Sequence, residues 1–259
     1  MWPYPRIIAH RGGGVMAPEN TLAAMREGHA RGYRGVEFDV MLSRDGVPIL
    51  MHDPQFGRTV AGVGGVVDYS AAQLAGMDAG SWFGAAFFGE PVPSLAQVID
   101  FCRANDVWMN VEIKPVPGFE YVTGEAVARI LDGSFGAADQ LTTAAAVVLP
   151  PLLSSFSVDA LLAAKAVAPH LPRGLLVDRL PVDWRVQLAK TGAVSLHLNQ
   201  QFLTQQDARE IRQAGFGLFC YTVNSAARAT ELLAWGVDAF CTDRLDLIGP
   251  DFSLPASTP

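Results

Sequence analysis

The chain has few of the features that mark disulfide-bonded, secreted or membrane-spanning proteins. Only three of its 259 residues are cysteines, Cys102, Cys220 and Cys241. They lack any Cys-x-x-Cys spacing, and their apolar surroundings predict buried free thiols instead of disulfides or zinc ligands. There is no apolar run of about eighteen residues that could span a bilayer, and the N-terminal Met-Trp-Pro-Tyr-Pro lacks the basic and apolar regions of a signal peptide. We therefore expect a soluble cytoplasmic protein without a stable membrane anchor.

Positive charge is also scarce. Nineteen Lys and Arg residues face 26 Asp and Glu residues, which gives a formal net charge of -7. A nucleic-acid backbone is therefore disfavoured as a partner, since proteins that bind it usually carry a clustered basic surface. If the substrate is anionic, its attraction must come from a bound cation or from a few local basic residues.

Strand-like and helix-like segments alternate along the chain. Half of the residues are apolar, and 25 Gly and 17 Pro provide for many short connections. The apolar strand segments centre on Ile8, Phe38, Val111, Leu153, Leu176, Leu196, Phe219 and Phe240. A helical segment follows each strand except the last, which predicts a parallel sheet buried on both sides. Eight such units close into a TIM-type (β/α)8 barrel, and we expect one domain over residues 1–259.

A hairpin interrupts this alternation after the second strand. The β-rich residues 36–42 lead into Asp-Gly at 45–46, a strong hairpin signal, and residues 47–51 run back as a second arm. The next segment, about 55–93, is rich in Gly, Ala and aromatic residues and has no clean period. This composition predicts an inserted lobe of short helices and loops. The lobe begins next to His52 and could form one wall of a pocket.

Carboxylates gather at the ends of two predicted strands. Glu37 and Asp39 share one face of their strand, about 6 to 7 Å apart, and Glu112 and Lys114 share a face of the next parallel strand. In a β/α barrel the chemistry lies at the carboxyl ends of the strands. The three carboxylates could surround one hard cation, because all-oxygen ligation favours Mg²⁺, Ca²⁺ or Mn²⁺ over zinc.

Two histidines and two basic residues are expected at the same place. His10 ends the first strand, and the hairpin returns His52, since its turn is too short for a crossover. Such histidines can act as acid and base on opposite sides of a phosphorus atom. Arg11 and Lys114 suit a phosphate. A structural ion-pair network is the alternative, but one network rarely needs two histidines, three acids and two bases.

The remaining polar residues predict structural roles. His29 lies inside a helix, and His170 lies in an exposed loop. His197 alternates with Ser195 and Asn199 toward the barrel interior, which favours a structural histidine over the alternative, a substrate contact. Ser154 and Ser155 lack the Gly-x-Ser-x-Gly elbow of a serine hydrolase, which argues against a Ser/His/Asp triad.

A series of short motifs runs in order along nearly the whole chain. They are His10-Arg11-Gly12, Pro18-Glu19-Asn20-Thr21, Glu37-x-Asp39, His52-Asp53, Pro93-Ser94-Leu95, Glu112-Ile113-Lys114, Tyr221-Thr222-Val223-Asn224 and Thr242-Asp243. Each is weak alone, but in combination they are specific and resemble the glycerophosphodiester phosphodiesterases. One departure is Tyr221, where the family often has tryptophan; the aromatic wall persists, so the change concerns substrate shape more than chemistry.

The resemblance implies a phospholipase-C-like barrel that hydrolyses glycerophosphodiesters to glycerol 3-phosphate and an alcohol, assisted by a divalent metal. It implies His10 and His52 as the acid/base pair and Glu37, Asp39 and Glu112 as metal ligands. The implied substrate or phosphate contacts are Arg11, Lys114, Glu19, Tyr221 and Asn224. The residues do not assign the acid and the base between the histidines, and they leave water or a neighbouring glycerol hydroxyl as the nucleophile.

Two other functions fit part of the pattern. A lysophospholipase-D-like or sphingomyelinase-D-like enzyme would use the same histidines and metal but accept an acyl chain, which the aromatic residues between Trp82 and Phe88 keep open. A non-catalytic barrel could instead bind phosphodiesters as a sensor. The presence of all the chemical positions counts against the sensor.

Overall fold

The apolar segments form a closed parallel barrel, as the alternation of strands and helices predicts. The computed structural model describes residues 2–136 and 149–254. Its strands in chain order are β1 Ile7–Ala9, β2 Gly35–Leu42, β3 Pro48–Leu50, β4 Trp108–Ile113, β5 Leu152–Ser155, β6 Arg173–Val177, β7 Ser195–Asn199, β8 Gly217–Tyr221 and β9 Ala239–Thr242. All strands except β3 are parallel and follow the order β1-β9-β8-β7-β6-β5-β4-β2, and pairing of Ala9 with Val36 closes the ring. The TIM-type fold is thus confirmed.

Helices connect the barrel strands on the outside. They are α1 Leu22–Ala30, α2 Ala71–Leu74, α3 Leu95–Ala104, α4 Glu120–Phe135, α5 Val158–Val167, α6 Trp184–Thr191, α7 Gln205–Gln213 and α8 Ala226–Ala234. Five of these eight helices begin with a side-chain cap. The Thr21 hydroxyl, for example, accepts the Ala24 amide at 3.1 Å, and Ser94 forms a capping box with Gln97. These side chains satisfy amides that a helix leaves without partners. The alanine-rich stretch of the sequence before Leu152, residues 137–148, lies outside the described residues.

Aromatic side chains close the amino-terminal end of the barrel. Trp108 and Phe219 point inward from β4 and β8, and Trp2 and Tyr4 from the N-terminal segment pack against them. The Tyr4 and Trp108 rings stack with centroids 4.4 Å apart, and the Trp2 and Tyr4 rings meet edge to face at 5.0 Å. These rings fill the interior with apolar surface. The polar inward side chains are therefore left for the opposite end.

His197 has a structural place inside the barrel, as the sequence indicates. It is fully buried, contacts Ser195 Oγ through Nε2 at 3.1 Å, and stacks on the Phe219 ring at 4.6 Å. Burial lowers its pKa to about 3, so the imidazole is neutral at physiological pH. Its ring lies over Gly174, where there is no room for a side chain.

The segment between β3 and α3 consists of short helices and loops, and we call residues 55–93 the lobe. Its buried residues Val60, Val66 and Leu74 pack with Met41 and Ile49 of the hairpin in a core separate from the main one. This apolar contact fixes the lobe against the face of the hairpin that carries Met41 and Ile49.

The three cysteines, Cys102, Cys220 and Cys241, are buried free thiols, as their apolar surroundings predict. Burial raises the pKa of Cys102 to about 12, which keeps it as an unreactive thiol. No helix in the described ranges combines the length and the apolar character needed to cross a bilayer.

Candidate active site

Three carboxylates converge at the carboxyl end of the barrel because β2 and β4 are neighbours in register. Asp39 is the register partner of Glu112, and two residues earlier on each strand Glu37 is the partner of Asn110. Side chains alternate along a strand, so Glu37, Asp39 and Glu112 all point into the barrel. Each offers a ligand oxygen, and these oxygens lie within 4.8 Å of one another. We call these three residues the acidic cluster.

Asp39 is the best neutralised member of the acidic cluster. Its carboxylate accepts hydrogen bonds from Lys114 Nζ at 3.1 Å and from Asn20 Nδ2 at 2.8 Å, and it lies 3.5 Å from Arg11 Nε. Burial opposes ionisation, but the charges of Lys114 and Arg11 outweigh it and hold the pKa of Asp39 well below its usual range. Asp39 is therefore a carboxylate at any physiological pH.

The other two acids resist ionisation in the described structure. Burial raises the pKa of Glu37 to about 7. Burial, reinforced by the charge of Asp39, raises the pKa of Glu112 well above its usual range. Glu112 accepts no hydrogen bond from any described residue, whereas Glu37 accepts the Arg11 amide at 3.2 Å. Converging, under-neutralised carboxylate oxygens are the donor set that a hard divalent cation requires, so the acidic cluster fits such an ion.

His10 is held at the end of β1 by an aspartate from the end of β9. His10 Nδ1 lies 2.5 Å from Asp243 Oδ1, and its Nε2 lies 3.7 Å from Glu37 Oε2. Asn224 fixes Asp243 from both sides, since its amide donates to Oδ2 and accepts the Asp243 N–H, each at 2.8 Å. Burial alone would lower the pKa of His10, but the hydrogen bond to Asp243 and the charge of Glu37 raise it.

His52 has the same kind of partner in a different setting. Its Nδ1 lies 2.6 Å from Oδ1 of Asp53, the next residue in the chain. The other oxygen of Asp53 accepts a hydrogen bond from Arg58 Nε at 2.5 Å. Burial lowers the pKa of His52, and although Asp39 opposes this effect, the positive charges of Arg11 and Lys114 reinforce it. Each predicted acid/base histidine thus directs Nδ1 to an aspartate.

Arg11 and Glu19 form a second layer of charge around the acidic cluster. The Arg11 backbone adopts a left-handed φ of 51°. Its Nη1 donates to Glu19 Oε1 at 2.7 Å. Two nitrogens of Arg58 donate hydrogen bonds to the same carboxylate, at 2.6 and 2.7 Å. Glu19 therefore lies between two guanidinium groups.

Asn20 has a role in the site that the sequence analysis did not assign. Thr21 provides the N-cap of α1, whereas the buried side-chain amide of Asn20 forms two hydrogen bonds with Asp39. Its Nδ2 donates to the carboxylate at 2.8 Å, and its Oδ1 accepts the Asp39 N–H at 3.1 Å. The left-handed φ of 58° at Asn20 makes this reach possible. Its place in the Pro18-Glu19-Asn20-Thr21 motif was the only signal.

Tyr221 lies at the mouth of the barrel at the end of β8. Its hydroxyl donates to the Val177 carbonyl at 3.0 Å and to Asp178 Oδ1 at 3.3 Å. Its ring meets Phe156 edge to face at 5.8 Å. Burial, together with the charge of Asp178, raises the pKa of Tyr221 well above its usual value, so the phenol remains a neutral donor. The two rings form an aromatic wall.

The structure brings the predicted residues to one end of the barrel but adds partners that the sequence reading left without roles. Asp243 and Asp53 were recognised in motifs, yet their contacts with His10 and His52 were not assigned. Arg58 was missed entirely, since a single arginine in an irregular segment carries no periodic signal. Its position shortly after His52-Asp53 is the only hint.

Comparisons with known proteins give one consistent result. The sequence model of the Glycerophosphoryl diester phosphodiesterase family matches residues 10–247. A glycerophosphodiester phosphodiesterase of Caldanaerobacter subterraneus subsp. tengcongensis is 31% identical over 242 residues, covering 92% of this chain and 93% of that protein. One of Bacillus subtilis is 29% identical over 255 residues, covering 93% and 84%. An Oleispira antarctica phosphodiesterase, solved with its product sn-glycerol-3-phosphate, has a TM-score of 0.84 and 36% identity, covering 92% and 93%.

Proposed function

The chain belongs to the glycerophosphoryl diester phosphodiesterase family, and from that membership we infer that it hydrolyses glycerophosphodiesters to glycerol 3-phosphate and an alcohol. The observation that carries the proposal is the acidic cluster, with the aspartate-bound His10 and His52 both supplied to the same end of the barrel. The product bound by the Oleispira antarctica relative supports the same substrate class.

Glu37, Asp39 and Glu112 would hold one divalent cation, for which Mg²⁺, Ca²⁺ and Mn²⁺ are the candidates. When bound, such an ion neutralises charge on the phosphodiester and in the transition state. Asn20 and Lys114 keep Asp39 ionised and fixed for this purpose. Burial is the main cause of the raised pKa values of Glu37 and Glu112, and a bound cation would favour their ionised form.

Arg11 and Lys114 are the proposed phosphate contacts. Both cations approach Asp39, at 3.5 and 3.1 Å. Arg11 offers a planar fork of donors and Lys114 a compact charge, and both chemistries recognise phosphate oxygens. Glu19 fixes the Arg11 guanidinium, so we propose that its influence on the substrate passes through that contact.

His10 and His52 are the proposed acid/base pair. Each ring is bound through Nδ1 to an aspartate, so Nε2 is the nitrogen proposed for proton transfer. In His10 this nitrogen lies 3.7 Å from Glu37 Oε2, beyond hydrogen-bond distance. One Nε2 would take the proton from the nucleophile, and the other would give a proton to the leaving alkoxide. The nucleophile is water or the neighbouring hydroxyl of the glycerol.

Tyr221 and Asn224 complete the proposed substrate contacts. The Tyr221 ring, with Phe156 beside it, supplies an apolar wall for carbon atoms of the substrate. The amide of Asn224 holds Asp243, so its contribution is to the orientation of His10 as well as to the polar rim of the site.

The test is release of glycerol 3-phosphate from glycerophosphocholine by chelator-treated protein to which Mg²⁺, Ca²⁺ or Mn²⁺ is restored. We expect cation-dependent release of glycerol 3-phosphate and choline in equal amounts. Release of phosphocholine and glycerol would mean that the other ester bond is cleaved. No release across a panel of glycerophosphodiesters would contradict an enzymatic function and favour a binding protein.

A lysophospholipase-D-like activity is the second candidate, and the inserted lobe favours it. Phe88 is 82% exposed and Trp82 is 42% exposed, so aromatic surface is available to an acyl chain. The discriminating measurement compares kcat/KM for glycerophosphocholine with that for lysophosphatidylcholine. A higher value for the lysolipid would place this activity first.

A further inference from the structure

Arg58 reaches from the inserted lobe to two segments of the candidate site. Its Nε donates to Asp53 Oδ2 at 2.5 Å, and its Nη1 and Nη2 donate to Glu19 at 2.6 and 2.7 Å. Asp53 holds His52 Nδ1 at 2.6 Å through its other oxygen. A continuous chain of charged hydrogen bonds therefore runs from Glu19 through Arg58 to His52.

The loop that carries Arg58 is itself fixed. The Gly57 amide donates to the Val60 carbonyl at 2.8 Å, and the Phe56 amide donates to the Gly64 carbonyl at 3.0 Å. Val60 is buried in the lobe core, and the Phe56 ring packs against Tyr69 at 5.3 Å. The backbone at Arg58 thus has a defined position from which its guanidinium can orient other groups.

We propose that Arg58 is a positioning residue that holds Asp53 so that the His52 ring keeps Nδ1 on the aspartate and presents Nε2 to the reaction. The bidentate contact with Glu19 fixes the plane of the guanidinium, and this directs Nε to Asp53. The inference rests on the proposed acid/base function of His52. It makes the inserted lobe part of the catalytic architecture and not only a wall beside it.

The aspartate that binds His10 is held by a neighbouring side chain in a comparable way. His10 is bound by Asp243, and Asn224 holds that aspartate through both ends of its amide. His52 and Asp53 are adjacent in sequence, and the Asp53 side chain is partly exposed, at 30%. An aspartate in that position has many rotamers available unless a partner fixes it. Arg58 therefore restrains the carboxylate of Asp53 as Asn224 restrains that of Asp243.

The contacts of Arg58 argue against a purely stabilising role. Its side chain is 45% exposed, and exposed ion pairs contribute little to stability. All three of its nitrogens nevertheless contact the two acids, a geometry that lysine cannot reproduce because it offers one point charge. Removal of the guanidinium should therefore affect the orientation of His52 more than the stability of the fold.

The kinetic test compares Arg58→Ala, Arg58→Lys and the control Arg44→Ala. Arg44 also ties the lobe to the barrel, through Asp68 and Gln73, but it does not contact the site residues. We expect Arg58→Ala to lower kcat about 10- to 100-fold, the range for residues that orient reacting groups, with KM changed much less. Arg58→Lys should recover only part of the loss, and Arg44→Ala should match the wild type. A rise in KM at unchanged kcat, or full activity of Arg58→Lys, would overturn the positioning role.

A spectroscopic readout separates this inference from the proposed function. Ring ¹⁵N shifts of neutral His52, identified by their loss in His52→Ala, should report an Nδ1–H tautomer in the wild type. That tautomer should lose population in Arg58→Ala but not in Arg44→Ala. An unchanged tautomer with inactive His52→Ala would overturn the inference alone. Wild-type turnover of His52→Ala would overturn the acid/base role, and with it any effect of Arg58 on the reaction.

Discussion

Asn20 offers the sharpest test of how the acidic cluster is assembled. Its buried amide makes two hydrogen bonds to Asp39, one to the carboxylate at 2.8 Å and one from the backbone N–H at 3.1 Å. A hydrogen bond to a charged group contributes about 1.5–3 kcal/mol, and a buried N–H left without a partner costs about 1–3 kcal/mol. We therefore expect Asn20→Gly to lower the free energy of unfolding by about 3 kcal/mol or more.

Glycine is the cleaner substitution because the backbone at Asn20 is left-handed, with a φ of 58°. Alanine in that conformation is disfavoured by roughly 1–2 kcal/mol, while glycine loses somewhat less than that through its greater freedom in the unfolded chain. Asn20→Ala should thus be no more stable than Asn20→Gly. Comparing the two variants separates the free energy lost with the amide hydrogen bonds from the cost of the strained backbone.

The assay is urea unfolding of the chelator-treated protein, followed by titration with Mg²⁺, Ca²⁺ and Mn²⁺. Loss of the Asn20 amide should also weaken cation binding about 10- to 100-fold, since the Asp39 carboxylate is then no longer oriented. His29→Ala is a suitable control, because His29 lies on the same segment of chain but contacts Phe101 outside the site. Stability within about 0.5 kcal/mol of the wild type for Asn20→Gly, together with unchanged cation affinity, would refute the reasoning.

The other predictions concern proton transfer, cation binding and substrate binding. His10→Ala and His52→Ala should each lower kcat by about two to four orders of magnitude in folded, cation-loaded protein; near wild-type turnover would remove that histidine from the mechanism. Because the pKa of Glu37 is raised to about 7, cation affinity should fall as the pH drops below 7, and calorimetry in buffers of different ionisation enthalpy should detect proton release at pH 6; no release would contradict the raised pKa. The pKa of Glu112 is also raised in the fold, so the stability it contributes is full below its ordinary pKa and is lost as pH rises through the folded value. Glu112→Gln should therefore stabilise the cation-free protein against urea at pH 8 while abolishing cation-induced stabilisation, and a less stable variant would refute this. Glycerol 3-phosphate should bind measurably only after cation is added; calorimetric binding in the presence of EDTA would show that Arg11 and Lys114 suffice.

The fold could be predicted from the sequence because barrel strands have a strong local signature. The eight parallel strands are rich in apolar residues and almost wholly buried, and helix caps such as Thr21 and Ser94 mark the intervening turns. The convergence of Glu37, Asp39 and Glu112 followed from strand alternation and from the common direction of the strands. That inference needed no knowledge of side-chain contacts.

The partners of the site residues could not be predicted in the same way. Asp243 reaches His10 across 233 positions of sequence, and Asn20 reaches Asp39 through a left-handed backbone. Arg58 lies in an irregular lobe whose conformation is set by packing on Met41 and Ile49, not by a repeating pattern. Such contacts depend on closure of the whole barrel, and no local rule specifies them.

The charge of the site gives a bound cation and the two basic residues complementary roles in the proposed function. With Glu37, Asp39 and Glu112 ionised, the cluster carries three negative charges against the two positive charges of Arg11 and Lys114, a formal total of -1. Both basic side chains contact Asp39, so in this ionised state a net negative charge would remain facing a phosphodiester. A divalent ion would change the total to +1, which matches the single negative charge of the substrate. The net charge of -7 on the chain then matters little, because binding is decided by these few groups at short range.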